Sequence, residues 1–235
     1  MNQPKIERQM DRYKGLKQKK VLNSNFLKLL KKSILNLSER KIGKYEVKVE
    51  IIPSGKEMIV VSTRNWLMMG YKPLKVSYIN SRPLYKLLRN GTELLMSDSP
   101  QEMFLQYEAY KGAKGKVLVG GLGLGLYASM IALKPEVTEV AVVEIDKDVI
   151  KLCNPKNKKI KVINEDILKF IKETKEKFDY IYIDTYYSTG CTEYIHTVLP
   201  LRKILKERFP KTPASFWGEE EMESQYDPNW KCNKK

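Results

Sequence analysis

Three cysteines, Cys153, Cys191 and Cys232, are all that the 235 residues contain, an odd number with no CxxC spacing. That leaves no basis for a disulfide framework or a cysteine zinc site, and no metal is expected. It favours a reducing compartment. Long apolar runs are missing too: the longest uncharged stretch, Val117 to Leu133, has seventeen residues, four of them glycine. A spanning helix needs about twenty predominantly apolar residues, so no membrane segment is expected. The opening MNQPKIERQM lacks the apolar core of a signal peptide, which predicts a cytoplasmic protein. Histidine occurs once, and His196 falls in the apolar pattern from Tyr194 to Leu201, where it reads as a helix residue rather than a base. Acids are outnumbered, 28 against 43 Lys and Arg, for a net charge of +15.

That charge is unevenly placed. Residues 1–44 hold thirteen Lys and Arg against Glu7, Asp11 and Glu39, two thirds of the net charge. Such a segment suits a polyanion such as nucleic acid, because each neutralised phosphate releases counterions; a solvated Lys-rich surface is the plain alternative. Within it Leu22, Phe26, Leu29, Leu30, Ile34 and Leu37 recur at three- and four-residue steps. This spacing predicts an amphipathic helix over 21–37 packed on its own domain.

Residues 45–100 read as a small antiparallel β region. YEVKVEII and KEMIVVS flank Pro53-Ser54-Gly55 as a hairpin would, and Asn90-Gly91 marks a second turn. QEMFLQYEAY predicts a helix. From Lys116 strands and helices alternate: KVLVGG, EVAVVEID, KIKVINED, FDYIYIDTYY and a short strand near 214–217, with CTEYIHTVLPLRKILKERF as the last long helix. The expected architecture is α/β, a Rossmann-like parallel sheet shortened to about five strands. The expected regions are a basic helical segment 1–44, the β region 45–100 and the sheet domain 101–235.

Ligands of open α/β sheets sit where strands end and enter their helices. Gly121, Gly123 and Gly125 follow the first strand as G-L-G-L-G, where missing side chains let backbone approach a ligand. Glu144 ends the next strand, nineteen residues beyond Gly125, where a carboxylate accepts from ribose hydroxyls. Asp166 ends the third, placed to receive an adenine amine, with Ile167 beside it to pack on the ring. Surface acids or helix caps are the bland reading of Glu144 and Asp166 taken singly. A dinucleotide site would have G-x-G-x-x-G and a helix N-terminus open to pyrophosphate; the third glycine here comes one position early.

With VLVGGLGLG, VVEID, NEDIL and FDYIYIDTYY in order, residues 116–187 resemble class I S-adenosylmethionine-dependent methyltransferases. The VVEID strand and ELLMSDSPQE more narrowly resemble the spermidine synthase branch. The resemblance implies S-adenosyl-L-methionine as cofactor, with Gly121, Gly123 and Gly125 facing its methionine portion, Glu144 the ribose, and Asp166 with Ile167 the adenine. It also implies a catalytic Asp184, orienting an amine beside a sulfonium and taking its proton, with Tyr186 and Tyr187 available to stack on a base.

Several residues depart from spermidine synthases. Leu124 stands where they carry an acid for the amino end of the decarboxylated cofactor, and Leu105-Gln106-Tyr107 where they show Tyr-His-Glu, with Glu108 one place on. The resemblance also implies two further strands after the fifth, for which no sequence is evident. These departures and the +15 charge argue against a polyamine, since a polycation needs several acids in its pocket. The expectation is therefore a methyltransferase of unspecified acceptor, with nucleic acid favoured by the basic segment. The alternatives are an aminopropyltransferase, or a non-catalytic nucleoside or nucleic-acid binding module. A second copy of the chain is a further candidate partner. Trp217 with Glu219, Glu220 and Glu221 borders an acceptor pocket or forms a solvated acidic tail; Asp98 sits over the cofactor or in a turn.

Overall fold

The computed structural model describes residues 24–32, 34–61 and 74–225. The helix expected over 21–37 is α1 (Ser24–Leu30), whose Phe26, Leu29 and Leu30 are buried one helical step apart. Phe26 packs edge-on against Phe104 and Tyr107, ring centroids 5.5 and 5.0 Å away, so the helix is seated on its own protein. Residues 34–39 are not helical, although Leu35 is buried. The basic residues 1–23, on which the nucleic-acid expectation largely rests, lie outside the described residues.

Four strands, β1 (Arg40–Ile42), β2 (Tyr45–Ile52), β5 (Arg82–Arg89) and β6 (Glu93–Ser97), form an antiparallel sheet in the order β1-β2-β5-β6. Asn90 and Gly91 have φ of 53° and 77°, the left-handed pair that a tight β5–β6 turn requires. The hairpin expected around Pro53-Ser54-Gly55 does not form. Strand β2 is matched to β5 along its whole length, from Tyr45 opposite Arg89 to Ile52 opposite Arg82, so β3 (Glu57–Val61) pairs with β4 (Leu74–Ser77) in a separate ribbon.

The expected QEMFLQYEAY helix is two, α2 (Pro100–Leu105) and α3 (Tyr107–Gly112), meeting at Gln106. Ser99 caps α2, its Oγ accepting from the Glu102 N–H at 3.2 Å, and Pro100 occupies a first-turn position where its missing N–H costs nothing.

Five parallel strands follow: β7 (Gly115–Gly120), β8 (Val137–Glu144), β9 (Ile160–Asn164), β10 (Tyr180–Ile183) and β11 (Ala214–Phe216). Their order, β11-β10-β7-β8-β9, makes the sheet Rossmann-like, reversing direction of progression between β7 and β10. Alternate residues enter opposite layers. Val117, Val119, Val140 and Val142 pack with α4 (Leu126–Ala132) and with Tyr45, Val47 and Leu87 of the antiparallel sheet. Leu118, Ala141 and Ile181 pack with α6 (Ile167–Glu173) and α8 (Leu199–Arg208). Between β8 and β9 lies α5 (Lys147–Cys153).

The last long helix is interrupted. A short α7 (Cys191–Glu193) leads into a π-helical turn, Tyr194–Val198, before α8. Pro200 in α8 has no N–H for the carbonyl four residues back and its ring crowds that carbonyl, which favours a widened turn just before it. Among the described residues no helix is long and apolar enough to cross a membrane.

Phe26 is fully buried between α1, α2 and α3, so Phe26→Ala should remove about 3–5 kcal/mol of stability. Urea unfolding of the variant would read it; a loss under 1 kcal/mol would show that α1 is not seated as described.

Candidate functional site

The β7–β10 reversal opens a cavity of about 450 Å³ at the carboxyl ends of the strands. Its lining includes Gly121, Gly123, Glu144, Asp166, Ile167, Asp184, Tyr186 and Tyr187 from the sheet side, and Tyr45, Leu87 and Met96 from the antiparallel sheet. Gly125 alone of the expected site residues is absent from that lining.

The glycines prove to be made necessary by protein rather than by a ligand. A Cβ on Gly121 (φ 92°) would stand 2.0 Å from the Asp184 carbonyl oxygen, and one on Gly123 (φ 52°) 2.5 Å from Met96 Sδ. Gly125 (φ 74°) turns into α4 against Pro155, away from the cavity. Leu124 is completely buried, and its N–H donates to Met96 Sδ at 3.1 Å.

Glu144 binds the turn itself. Its Oε2 accepts from the Leu122 N–H at 2.9 Å and its Oε1 from the Asp146 N–H at 2.8 Å, tying the end of β8 to the loop after β7. Asp166 is both cap and cavity residue: Oδ1 accepts from the Lys169 N–H at 2.9 Å at the start of α6. Ile167 is buried beside it, against Gly120.

The floor lies deeper, around Asp184. Enough of its side chain meets the cavity for a ligand to reach it, while the packed atoms around it exclude bulk water. Burial first, and then the neighbouring Glu102, hold its pKa well above the carboxylate range. Burial likewise pushes Glu102 up to about 7, partly offset by Gln106, whose Nε2 donates to Glu102 Oε1 at 3.0 Å. Trp217 Nε1 and the Tyr182 hydroxyl are close enough to lower the pKa of Glu102 and Asp184 respectively, yet neither is in ordinary hydrogen-bond geometry with any group. Tyr182 stacks on Tyr127 with ring centroids 3.9 Å apart.

The two expected tyrosines diverge. Tyr186 donates to the Trp217 carbonyl at 2.5 Å and is held protonated by burial; Tyr187 is exposed, with the Arg89 guanidinium 4.8 Å above its ring. Asp98 does not reach the cavity lining. It is 2 % exposed, accepting from Arg82 Nη2 at 2.9 Å and the Tyr85 N–H at 2.7 Å, because a carboxylate so buried needs those partners. His196 lines the cavity from the π turn, and Glu219 pairs with Arg202.

Glu102 is the residue that sequence reasoning missed. Ser99-Pro100-Gln101-Glu102 has the S-x-x-E spacing of a capping box, which gives the acid a local role and hides a distant one. The acid looked for near Gln106 fails by geometry, since Glu108 points to solvent and pairs with Lys111. With Glu102 the cavity is lined by six carboxylates, Glu102, Glu144, Asp146, Glu165, Asp166 and Asp184, and by no Lys or Arg. The expectation that a +15 chain makes a poor host for a cation therefore fails at the site.

The raised Glu102 pKa has a sign. The folded chain keeps that proton up to about pH 7, whereas an exposed glutamate loses it near 4.5. Folded protein binds more protons between those values, so stability should fall as pH rises through this window. Glu102→Gln should flatten part of the fall and melt higher than wild type at pH 8, by thermal unfolding across pH. Superimposable pH profiles would contradict the burial of Glu102.

Comparison with known proteins agrees with this geometry. Residues 103–206 match the spermine/spermidine synthase domain. A polyamine aminopropyltransferase of Buchnera aphidicola subsp. Schizaphis graminum is 32% identical over 92 residues, 35% of this chain and 32% of the relative. The chain thus spans about a third of the length of that curated relative. A solved structure described as a conserved hypothetical protein of Streptococcus pyogenes has TM-score 0.36 at 14% identity, covering 44% of this chain and 65% of its own. Residues 103–206 accordingly carry a spermine/spermidine synthase domain, on the spermidine synthase-like branch of the class I S-adenosylmethionine-dependent methyltransferase fold.

Proposed function

We propose that the chain is an aminopropyltransferase, moving the 3-aminopropyl group of decarboxylated S-adenosylmethionine to an amine. This reverses the order of the two enzymatic expectations drawn from the sequence. The observation that carries it is the cavity lining of six carboxylates without Lys or Arg. S-Adenosylmethionine has an α-carboxylate, and a cavity of this charge offers it only repulsion. The decarboxylated compound has a sulfonium and an ammonium and no anion. The family match and the similarity to a polyamine aminopropyltransferase support the same choice.

The residues have natural roles in such a reaction. Asp166 and Ile167 suit the adenine and Glu144 the ribose, although both Glu144 oxygens already accept backbone bonds and would share them. Gly121 and Gly123 border the sulfonium end. Asp184 orients the acceptor amine. As the nitrogen bonds to the propyl carbon, the carbon–sulfur pair leaves with sulfur, giving a neutral thioether, and Asp184 accepts the amine proton. A cationic ligand beside Asp184 lowers the pKa that burial has raised, so the base forms when the substrates arrive.

Product analysis with decarboxylated S-adenosylmethionine and a panel of diamines tests the reading. Asp184→Asn should lower the transfer rate about 10²–10⁴-fold with little change in donor affinity. Tighter binding of S-adenosylmethionine than of its decarboxylated form, or methylated product, would overturn it.

A further inference from the structure

Polar atoms on the cavity floor are left unmatched by the chain. Gln106 is completely buried and lines the cavity; its Nε2 faces Glu102, which fixes the amide, and its Oε1 has no partner. Tyr182, 2 % exposed, has an unpartnered hydroxyl on the same floor. The titratable groups acting on Glu102 and Asp184 are each other and Tyr182, with Tyr127 and Tyr186 around them, and Trp217 adds a neutral N–H. None is a cation.

These groups specify the chemistry of what they would bind. An amide oxygen and two carboxyl groups are acceptors once ionised, and what they lack is a charged donor. A hydroxyl ligand brings one donor and no charge; an anion is repelled. An alkylammonium brings three donors and a positive charge, enough to satisfy Gln106 Oε1 and both carboxylates together.

We propose that Glu102, Gln106 and Asp184 form a binding site for one alkylammonium group, whose entry expels a proton from the carboxyl pair. One cation enters and one proton leaves to the buffer, so the charge of the floor is unchanged. The site deepens the aminopropyl-transfer reading and rests on it for the identity of the amine. It also gives Leu124 an explanation: the ammonium is held from α2 and the α2–α3 junction, opposite a turn that supplies no acid of its own.

Titration calorimetry of the full chain with 1,4-diaminobutane, in two pH 7 buffers of different ionisation enthalpy, counts protons released per amine bound. Wild type should show buffer-dependent heats with net release. Glu102→Gln should bind about tenfold or more weakly and release fewer protons. Gln106→Leu, which keeps both carboxyls, should bind more weakly while still releasing a proton. Buffer-independent heats, or diamine binding by Glu102→Gln as tight as wild type, would overturn the site. The probe has neither sulfonium nor adenosine, so the two readings fail separately. Proton-linked diamine binding without transfer would sink the proposed function alone; transfer without proton-linked binding would sink this site alone.

Discussion

A carboxyl group taken out of water resists ionising unless a positive partner comes with it, and two such groups side by side resist more strongly. Glu102 and Asp184 are such a pair, and much of the architecture serves to bring them together. Asp184 is delivered by the end of β10, the strand across the topological reversal from β7. Glu102 arrives from the other direction, on a helix whose start is fixed by the Ser99 cap and by the buried Arg82–Asp98 pair just before it. Neither the parallel sheet nor the antiparallel one contains the floor alone.

The antiparallel sheet is therefore a wall of the site and not an appendage. Met96 fills the space beside Gly123, Leu87 and Tyr45 line the cavity, and Tyr45 hydrogen-bonds Asp146 at the end of β8. Charge is segregated along with structure. The chain is strongly basic, yet the concave surface at its strand ends is acidic, so the net figure describes solubility and long-range attraction and not what the cavity accepts.

The sheet was legible because buried parallel strands announce themselves: KVLVGG, EVAVVEID and FDYIYID are near-continuous apolar runs ending in glycine or an acid. Glu144, Asp166 and Asp184 were readable for the same reason, since a strand end is a fixed place in this topology. Strand partners were not. The β2–β3 turn looked like a hairpin because local chemistry reports a reversal of direction, while the competing β2–β5 register depends on residues more than thirty positions apart. Glu102 was hidden by a credible local job, and Asp98 over-read, because burial and ion pairing at Arg82 have no signature in spacing. The widened turn at His196 follows from Pro200, but its facing the cavity does not.

Gly121 is held by the backbone of a neighbouring strand, with the Asp184 carbonyl occupying the place of a side chain. Any descendant of this chain that kept the sheet would need that glycine, whether or not it still bound anything. The buried acids obey the opposite logic. They weaken the empty fold, so a lineage freed from its chemistry would gain stability by replacing Glu102 or Asp184 with an apolar residue of similar size. Among relatives of this chain, then, the glycine pattern would trace ancestry, and the costly carboxyl pair would tell the working enzymes from the retired ones.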